Sequence, residues 1–161
     1  MIVAVIADTH LRAPGRLPAP CRERLEQCEL IVHAGDVVSA SVFDELSCIG
    51  PPLRAVRGNV DEPALAERLP ERLEIQLGGA KVGVVHDAGP ARGRLARMRG
   101  LFPECTAAIF GHSHLPLHES QAGFQIFNPG SPTARRRAPR HTMGLLSAGG
   151  GRLEFELIAL D

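Results

Sequence analysis

The sequence has no tryptophan and no tyrosine, and only six phenylalanines among 161 residues. A surface on which successive nucleobases stack is built from such rings, so their scarcity argues against that mode of nucleic-acid binding. An excess of either charge is also missing, since 18 Lys and Arg balance 18 Asp and Glu. That removes the bulk attraction by which proteins coat nucleic acid or anionic membrane. No run approaches the ~20 apolar residues that span a bilayer. Ile2 to Ala7 is apolar but lacks a basic flank and runs straight into Asp8, so it reads as a strand and not as a secretory leader. The four cysteines (Cys21, Cys28, Cys48 and Cys105) show no C-x-x-C spacing. They read as reduced, mostly buried thiols of a cytoplasmic protein, and a zinc ribbon is disfavoured.

The length suits a single domain over residues 1–161 with a sizeable core. Ile2–Ala7 has the continuous β-branched character of a strand buried on both faces. A short helix over Cys21–Cys28, a strand Leu30–His33, a helix from Ser39 or Ser41 to about Cys48, and a strand Leu53–Val56 follow. Asp61 is expected to cap a helix reaching Leu69, with Pro63 in its first turn. Leu73–Leu77 and Lys81–Val85 form a hairpin about Gly78-Gly79, and Pro90–Phe102 reads as a helix. Ala107–Phe110, Leu115–Glu119, Phe124–Phe127, Thr142–Ser147 and Leu153–Ile158 complete the strands. Alternating strands and helices predict an α/β protein with a parallel, doubly covered sheet, whose ligands bind at the carboxyl ends of the strands.

Those strand ends carry the chemistry. Gly111-His112-Ser113-His114 closes the apolar run Ala107–Phe110. A glycine-led turn can bring its two imidazoles towards one point, which is the usual arrangement around a metal. Asp8 and His10, Asp36, Asn59, and His86 end the other strands. Each has an ordinary explanation alone: Asp8 can begin a turn, Asp36 can cap a helix, and His86 can be a core histidine. Their joint occurrence is harder to explain that way. Seven candidate ligands exceed the needs of one ion and suit two ions sharing a carboxylate. Oxygen and imidazole donors without thiolate favour Mn²⁺, Fe²⁺, Zn²⁺, Co²⁺ or Ni²⁺.

Asp8-Thr9-His10, Gly35-Asp36, Gly58-Asn59, His86 and Gly111-His112-Ser113-His114, in that order, resemble the signature of the calcineurin-like metallophosphoesterase superfamily. Gly58-Asn59-Val60-Asp61, Asn128-Pro129-Gly130-Ser131 and the short length narrow the resemblance to small YfcE-type phosphodiesterases that share the Vps29-like fold. The resemblance spans Asp8 to at least Ser131. It implies a four-layer α/β/β/α sandwich and two divalent ions, Mn²⁺ favoured. Asp8, His10 and His114 would hold the first ion, Asn59, His86 and His112 the second, and Asp36 would bridge them. Asp36, Asn59 and His86 would be catalytic, through a metal-bridging hydroxide attacking phosphorus. Thr9 and Ser113 are then not nucleophiles but partners of nearby backbone.

Two positions depart from the pattern. Many larger relatives carry histidine after the motif asparagine, where it is thought to protonate the leaving group. Here that residue is Val60, which favours diesters with good leaving groups over monoesters. Asp87 stands where relatives often have glycine, and begins a turn or orients an imidazole. Asn128, Gly130, Ser131 and Arg135 are candidates to bind the substrate phosphate. A basic surface loop or subunit contact is an equal reading of Arg135–Arg140. Arg92, Arg94, Arg97 and Arg99 read as a solvated face, and His33, His118 and His141 as structural or surface residues. The expected partner is a small phosphoester, without membrane or bulk nucleic-acid binding, in a homodimer or homotetramer. A phosphomonoesterase for a small metabolite, or a Vps29-like protein-binding scaffold, are the alternatives.

Overall fold

A computed structural model describes all 161 residues. The chain runs β1 (Ile2–Ile6), α1 (Ala19–Glu26), β2 (Leu30–His33), α2 (Ala40–Ser47), β3 (Leu53–Ala55) and α3 (Pro63–Ala66). It continues with β4 (Arg72–Leu77), β5 (Ala80–Val85), α4 (Arg94–Leu101), β6 (Ala107–Ile109), β7 (Leu117–Gln121), β8 (Phe124–Asn128), β9 (Thr142–Gly149) and β10 (Arg152–Ala159). Two five-stranded sheets form, in the orders β10-β9-β1-β2-β3 and β4-β5-β6-β8-β7. β1, β2 and β3 are parallel, as are β5, β6 and β8. The outer strands β9, β10, β4 and β7 are antiparallel additions. The expected parallel sheet is therefore divided: β1-β2-β3 form one side of the first mixed sheet and β5-β6-β8 the centre of the second.

Strand periodicity explains the layering, because successive side chains leave a strand on opposite faces. On β1, Val3 and Val5 enter a cluster shared with Val82, Val84, Ile109 and Phe127 of the other sheet, while Ala4 and Ile6 face Leu25, Val42 and Leu65 of α1, α2 and α3. On β6, Ala107 and Ile109 join the core between the sheets, while Ala108 meets Met98 and Phe102 at α4. The result is the four-layer α/β/β/α sandwich. Close approach is enforced at Gly83 and Gly144, where a Cβ would strike the rings of Phe102 and Phe127.

Three helix starts differ from the expected ones. α3 begins after Glu62, because the Asp61 carboxylate is engaged elsewhere: it accepts the Val38 and Gly58 N–H groups at 2.7 and 2.6 Å. α4 starts at Arg94, behind a left-handed Gly93, and not at Pro90. α1 starts at Ala19, with Pro20 in its first turn. Arg97 is exposed and Arg94 and Arg99 are half-buried, and this surface row is also tied to the backbone. Their guanidiniums staple carbonyls of Ala88, Gly89, Pro90, Arg92, Gln121 and Ala122, and Arg94 and Arg99 lie over the rings of Phe110 and Phe124. Cys21, Cys28 and Cys105 are buried, Cys48 is exposed, and all four are free. No helix is long and apolar enough to cross a membrane.

Candidate metal centre

The parallel strands of both sheets release their chains at one edge of the sandwich. Asp8 and His10 follow β1, Asp36 follows β2, Asn59 follows β3, His86 follows β5, and His112 and His114 follow β6. Asp8, His10, Asp36, His112 and His114 have φ between 48° and 69°. Non-glycine residues occupy this left-handed region at an energetic disadvantage, and such residues collect at functional sites. Two glycines allow the sheets to meet at the site: a Cβ at Gly35 would lie 2.6 Å from the His86 ring, and one at Gly111 would lie 2.9 Å from Ala7 and 3.0 Å from the Asp8 carboxylate.

The structure gathers all seven candidates. Asp8, His10 and His114 form one group able to hold a cation, and Asp8, Asp36 and His86 form another. Nε2 of His10 lies 3.8 Å from Asp8 and 3.3 Å from Asp36. Nε2 of His114 lies 3.6 Å from Asp8, and Nε2 of His86 lies 3.2 Å from Asp36. Asn59 joins through its Oδ1, 3.0 Å from His86 Nε2 and 3.1 Å from His112 Nδ1. Asp36 thus sits between the two halves, while Asp8 belongs to both compact groups.

Whether these residues fit a cation is decided by their unmet valences. Both carboxylate oxygens of Asp8 and the Nε2 atoms of His10 and His114 are buried without any hydrogen-bond partner. A buried carboxylate is strongly disfavoured unless paired or bound to metal. The tautomers fit as well. Nδ1 of His86 donates to the Ala34 carbonyl at 2.7 Å, and Nδ1 of His114 donates to that of Ala134. Each neutral ring then presents the Nε2 lone pair to the centre, the usual role of an outer partner behind a ligating histidine. His33 has the opposite tautomer. Its Nδ1 accepts the Gly35 N–H, so Nε2 keeps the proton and donates to Thr9 Oγ1 at 3.1 Å. Complete burial holds its pKa down at about 3, and it braces the Asp8 and Asp36 turns together as a neutral strut.

Charge is concentrated here. The Asp36 and Asp8 carboxylates beside His10 raise its pKa to about 9. Burial alone would raise Asp36, but the His10 and His86 rings beside it and the hydrogen bond from the Val60 N–H outweigh it and hold this carboxyl well below the usual range. Burial works against the His86 cation, and the Asp36 carboxylate still keeps its pKa above the ordinary value. For His114, burial dominates and lowers the pKa.

The residues offered to a substrate phosphate have a different task. Asn128 is fully buried, its amide donating to Gly111 O and Ser113 Oγ and its Oδ1 accepting the Gly130 N–H. Ser131 Oγ donates to the Asp8 carbonyl at 2.7 Å and accepts from Ala134 N at 2.8 Å. The Thr133 hydroxyl donates to the Thr9 carbonyl. The 128–134 turn therefore straps the Asp8-Thr9 and Gly111–His114 turns in place, with its polar atoms already engaged. Arg135 folds back onto the Ala138 carbonyl, away from the site. Two groups that do face the site, Arg12 and Arg136, carry no motif signal: Arg12 follows His10 by two positions, and Arg136 is one of three consecutive arginines. Asp87 Oδ1 accepts the Gly89 N–H, the role of a turn former, while Oδ2 lies 3.9 Å from His112 Nε2. His118 packs edge-on against Phe127 and Phe155, and His141 pairs with Asp161.

The four-layer sandwich thus brings aspartates and imidazoles together at its strand ends as a donor set able to hold a metal ion. Residues 1–151 match the family model described as the calcineurin-like phosphoesterase superfamily domain. A probable metallophosphoesterase of Methanothermobacter thermautotrophicus is 32% identical over 98% of this chain and 92% of its own. The chain belongs to the calcineurin-like phosphoesterase superfamily. Among solved structures, a Vps29 variant from Entamoeba histolytica superposes with a TM-score of 0.78 at 24% identity, covering both chains completely. An archaeal phosphodiesterase superposes with a TM-score of 0.76 at 20% identity, over 98% of this chain and all of the other. At that identity, both share the fold.

Proposed function

We propose that this chain is a dimetal phosphoesterase that hydrolyses phosphodiester bonds of small substrates, the whole chain acting as one domain. One observation carries the reading: a buried carboxylate and two buried imidazole nitrogens converge with no protein partner. Asp8, His10 and His114 would hold one ion, Asn59, His86 and His112 the second, and Asp36 would reach both. Two such ions, Mn²⁺ favoured, supply an activated water and positive charge against the phosphoryl oxygens.

The protein's own part is orientation and charge. Asp36 stays ionised under its hydrogen bonds, so it offers an anion at every physiological pH. The carbonyls of Ala34 and Ala134 aim His86 and His114 by Nε2. Val60 is exposed beside Asn59, and its backbone N–H rather than its side chain is engaged, by Asp36. No side chain at position 60 can hand a proton to a departing alkoxide, which supports diesters with stable leaving groups.

The test is hydrolysis of bis(p-nitrophenyl) phosphate and p-nitrophenyl phosphate across Mn²⁺, Fe²⁺, Zn²⁺, Co²⁺ and Ni²⁺. Turnover of the diester over the monoester is expected, abolished by Asp36→Asn. Preference for the monoester would overturn the diester assignment. Two bound ions without turnover of either would favour the Vps29-like scaffold, the reading that likeness to the Entamoeba structure keeps open.

A further inference from the structure

Beside His10 the centre opens into a cleft of about 500 Å³. Its walls are unlike each other. Val38 and Val60 are apolar, Ser39 is buried and bonded to Ser41, and Glu62 has one oxygen engaged by the Ala40 N–H at the start of α2. Arg12 and Arg136 complete it, and neither guanidinium has a hydrogen bond or ion pair with the protein.

The two arginines are held by the site's own turns. Arg12 lies two residues beyond the left-handed His10. Arg136 lies two residues beyond Ala134, whose carbonyl holds His114, and Arg136 is itself left-handed with φ 48°. Its neighbour Arg135 is turned away onto Ala138. Of three consecutive arginines, the strained one is the one aimed at the cleft. Two unpaired planar cations line the cleft beside His10, and a guanidinium is the group that binds a phosphate through two parallel N–H bonds. A reacting diester carries one negative charge and would be met by the ions; a second pair of cations beyond them calls for a second anion.

We propose that this cleft is a subsite for a second phosphate of the substrate, carried on the ester arm beyond the reacting phosphoryl group and gripped by Arg12 and Arg136. The proposal rests on the phosphoesterase reading above and narrows its substrate class to diesters of phosphorylated alcohols. Glu62 adds one negative charge to the same cleft.

The experiment compares ethyl p-nitrophenyl phosphate with the same ester bearing a terminal phosphate on the ethyl carbon, on the Mn²⁺-loaded protein. The phosphorylated ester is expected to be favoured by about tenfold or more in kcat/KM, mostly through KM, the effect of one well-made charge-assisted contact. Arg12→Ala and Arg136→Ala should each remove most of that preference, and Arg137→Ala, a charge-matched change outside the cleft, should keep it. No preference in the unaltered protein, or an equal loss with Arg137→Ala, overturns the subsite. A second readout needs no turnover: binding of inorganic pyrophosphate to metal-free protein by calorimetry, expected to weaken at least ~10-fold when both arginines become alanine. If neither ester is hydrolysed but this arginine-dependent binding remains, the phosphoesterase reading fails and the subsite stands. If binding is indifferent to both arginines, the subsite fails whatever the activity.

Discussion

The two halves of the centre are built on different principles. On one side, Asp8 and His114 are essentially inaccessible, both Asp8 carboxylate oxygens and His114 Nε2 lack partners, and the 128–134 turn straps them from behind. On the other, Asn59 and His112 are exposed, and His112 Nδ1 already donates to Asn59 Oδ1. The first half is desolvated and incomplete without a cation. The second satisfies much of its own polarity and stays open to water. A dry cluster of unmet donors gains more from a cation than a wet, self-bonded one, so one tightly held and one exchangeable ion are expected.

The sharpest way to break this contrast is to remove what joins the halves. Asp36→Asn takes the anion from between His10 and His86 and should lower turnover by roughly 10³-fold or more, the value of several kcal/mol of charge stabilisation. A smaller effect would mean that Asp8 alone unites the groups. Next, His114→Ala and His112→Ala should differ. His114→Ala is expected to weaken the tighter ion by on the order of 100-fold, since losing even an outer partner costs 10–100-fold. His112→Ala should leave about one ion per chain after dialysis, read by elemental analysis. Equal metal loss would erase the distinction.

Ser131→Ala tests the strap. It leaves the Asp8 carbonyl and the Ala134 N–H without their partner, so about 1–3 kcal/mol of stability should go. First-half affinity should fall while the second ion's affinity holds, measured by denaturation and metal titration.

The mildest test uses pH. His10 has a folded-state pKa of about 9, above its ordinary 6.5. In the metal-free protein its contribution to stability is complete below about pH 6.5 and lost as pH rises through about 9. A cation needs the neutral ring, so binding should release a proton at pH 7, and affinity should rise by up to ~10-fold per pH unit below about 9. Calorimetry in buffers of different ionisation enthalpy reads that proton. Its absence would place the first ion away from His10.

Most of the architecture was legible because two-faced strand burial leaves unbroken apolar runs such as Ile2–Ala7 and Leu30–His33, and these runs end at or one residue beyond the ends of the observed strands. Helix starts were less so. Asp61 has the composition of a cap, but two backbone N–H groups from the Asp36 and Asn59 loops take its carboxylate. Asn128 and Ser131 look like phosphate binders because the same hydrogen-bonding atoms serve a ligand or a neighbouring turn, and only their partners distinguish the two uses.

By itself, then, the sequence determined the strand periods, the polar residue closing each parallel strand, and the membership in a phosphoesterase superfamily, since all of these are local patterns written in order along the chain. Tertiary structure alone decided which nitrogen each histidine presents, which of three consecutive arginines faces the cleft, and which half of the centre is dry. Those properties depend on groups far apart in the chain: Ala34 behind His86, Ala134 behind His114, Ser131 beneath Asp8. Spacing along the chain carries no record of such pairings, because they arise when the edges of two sheets close on one another.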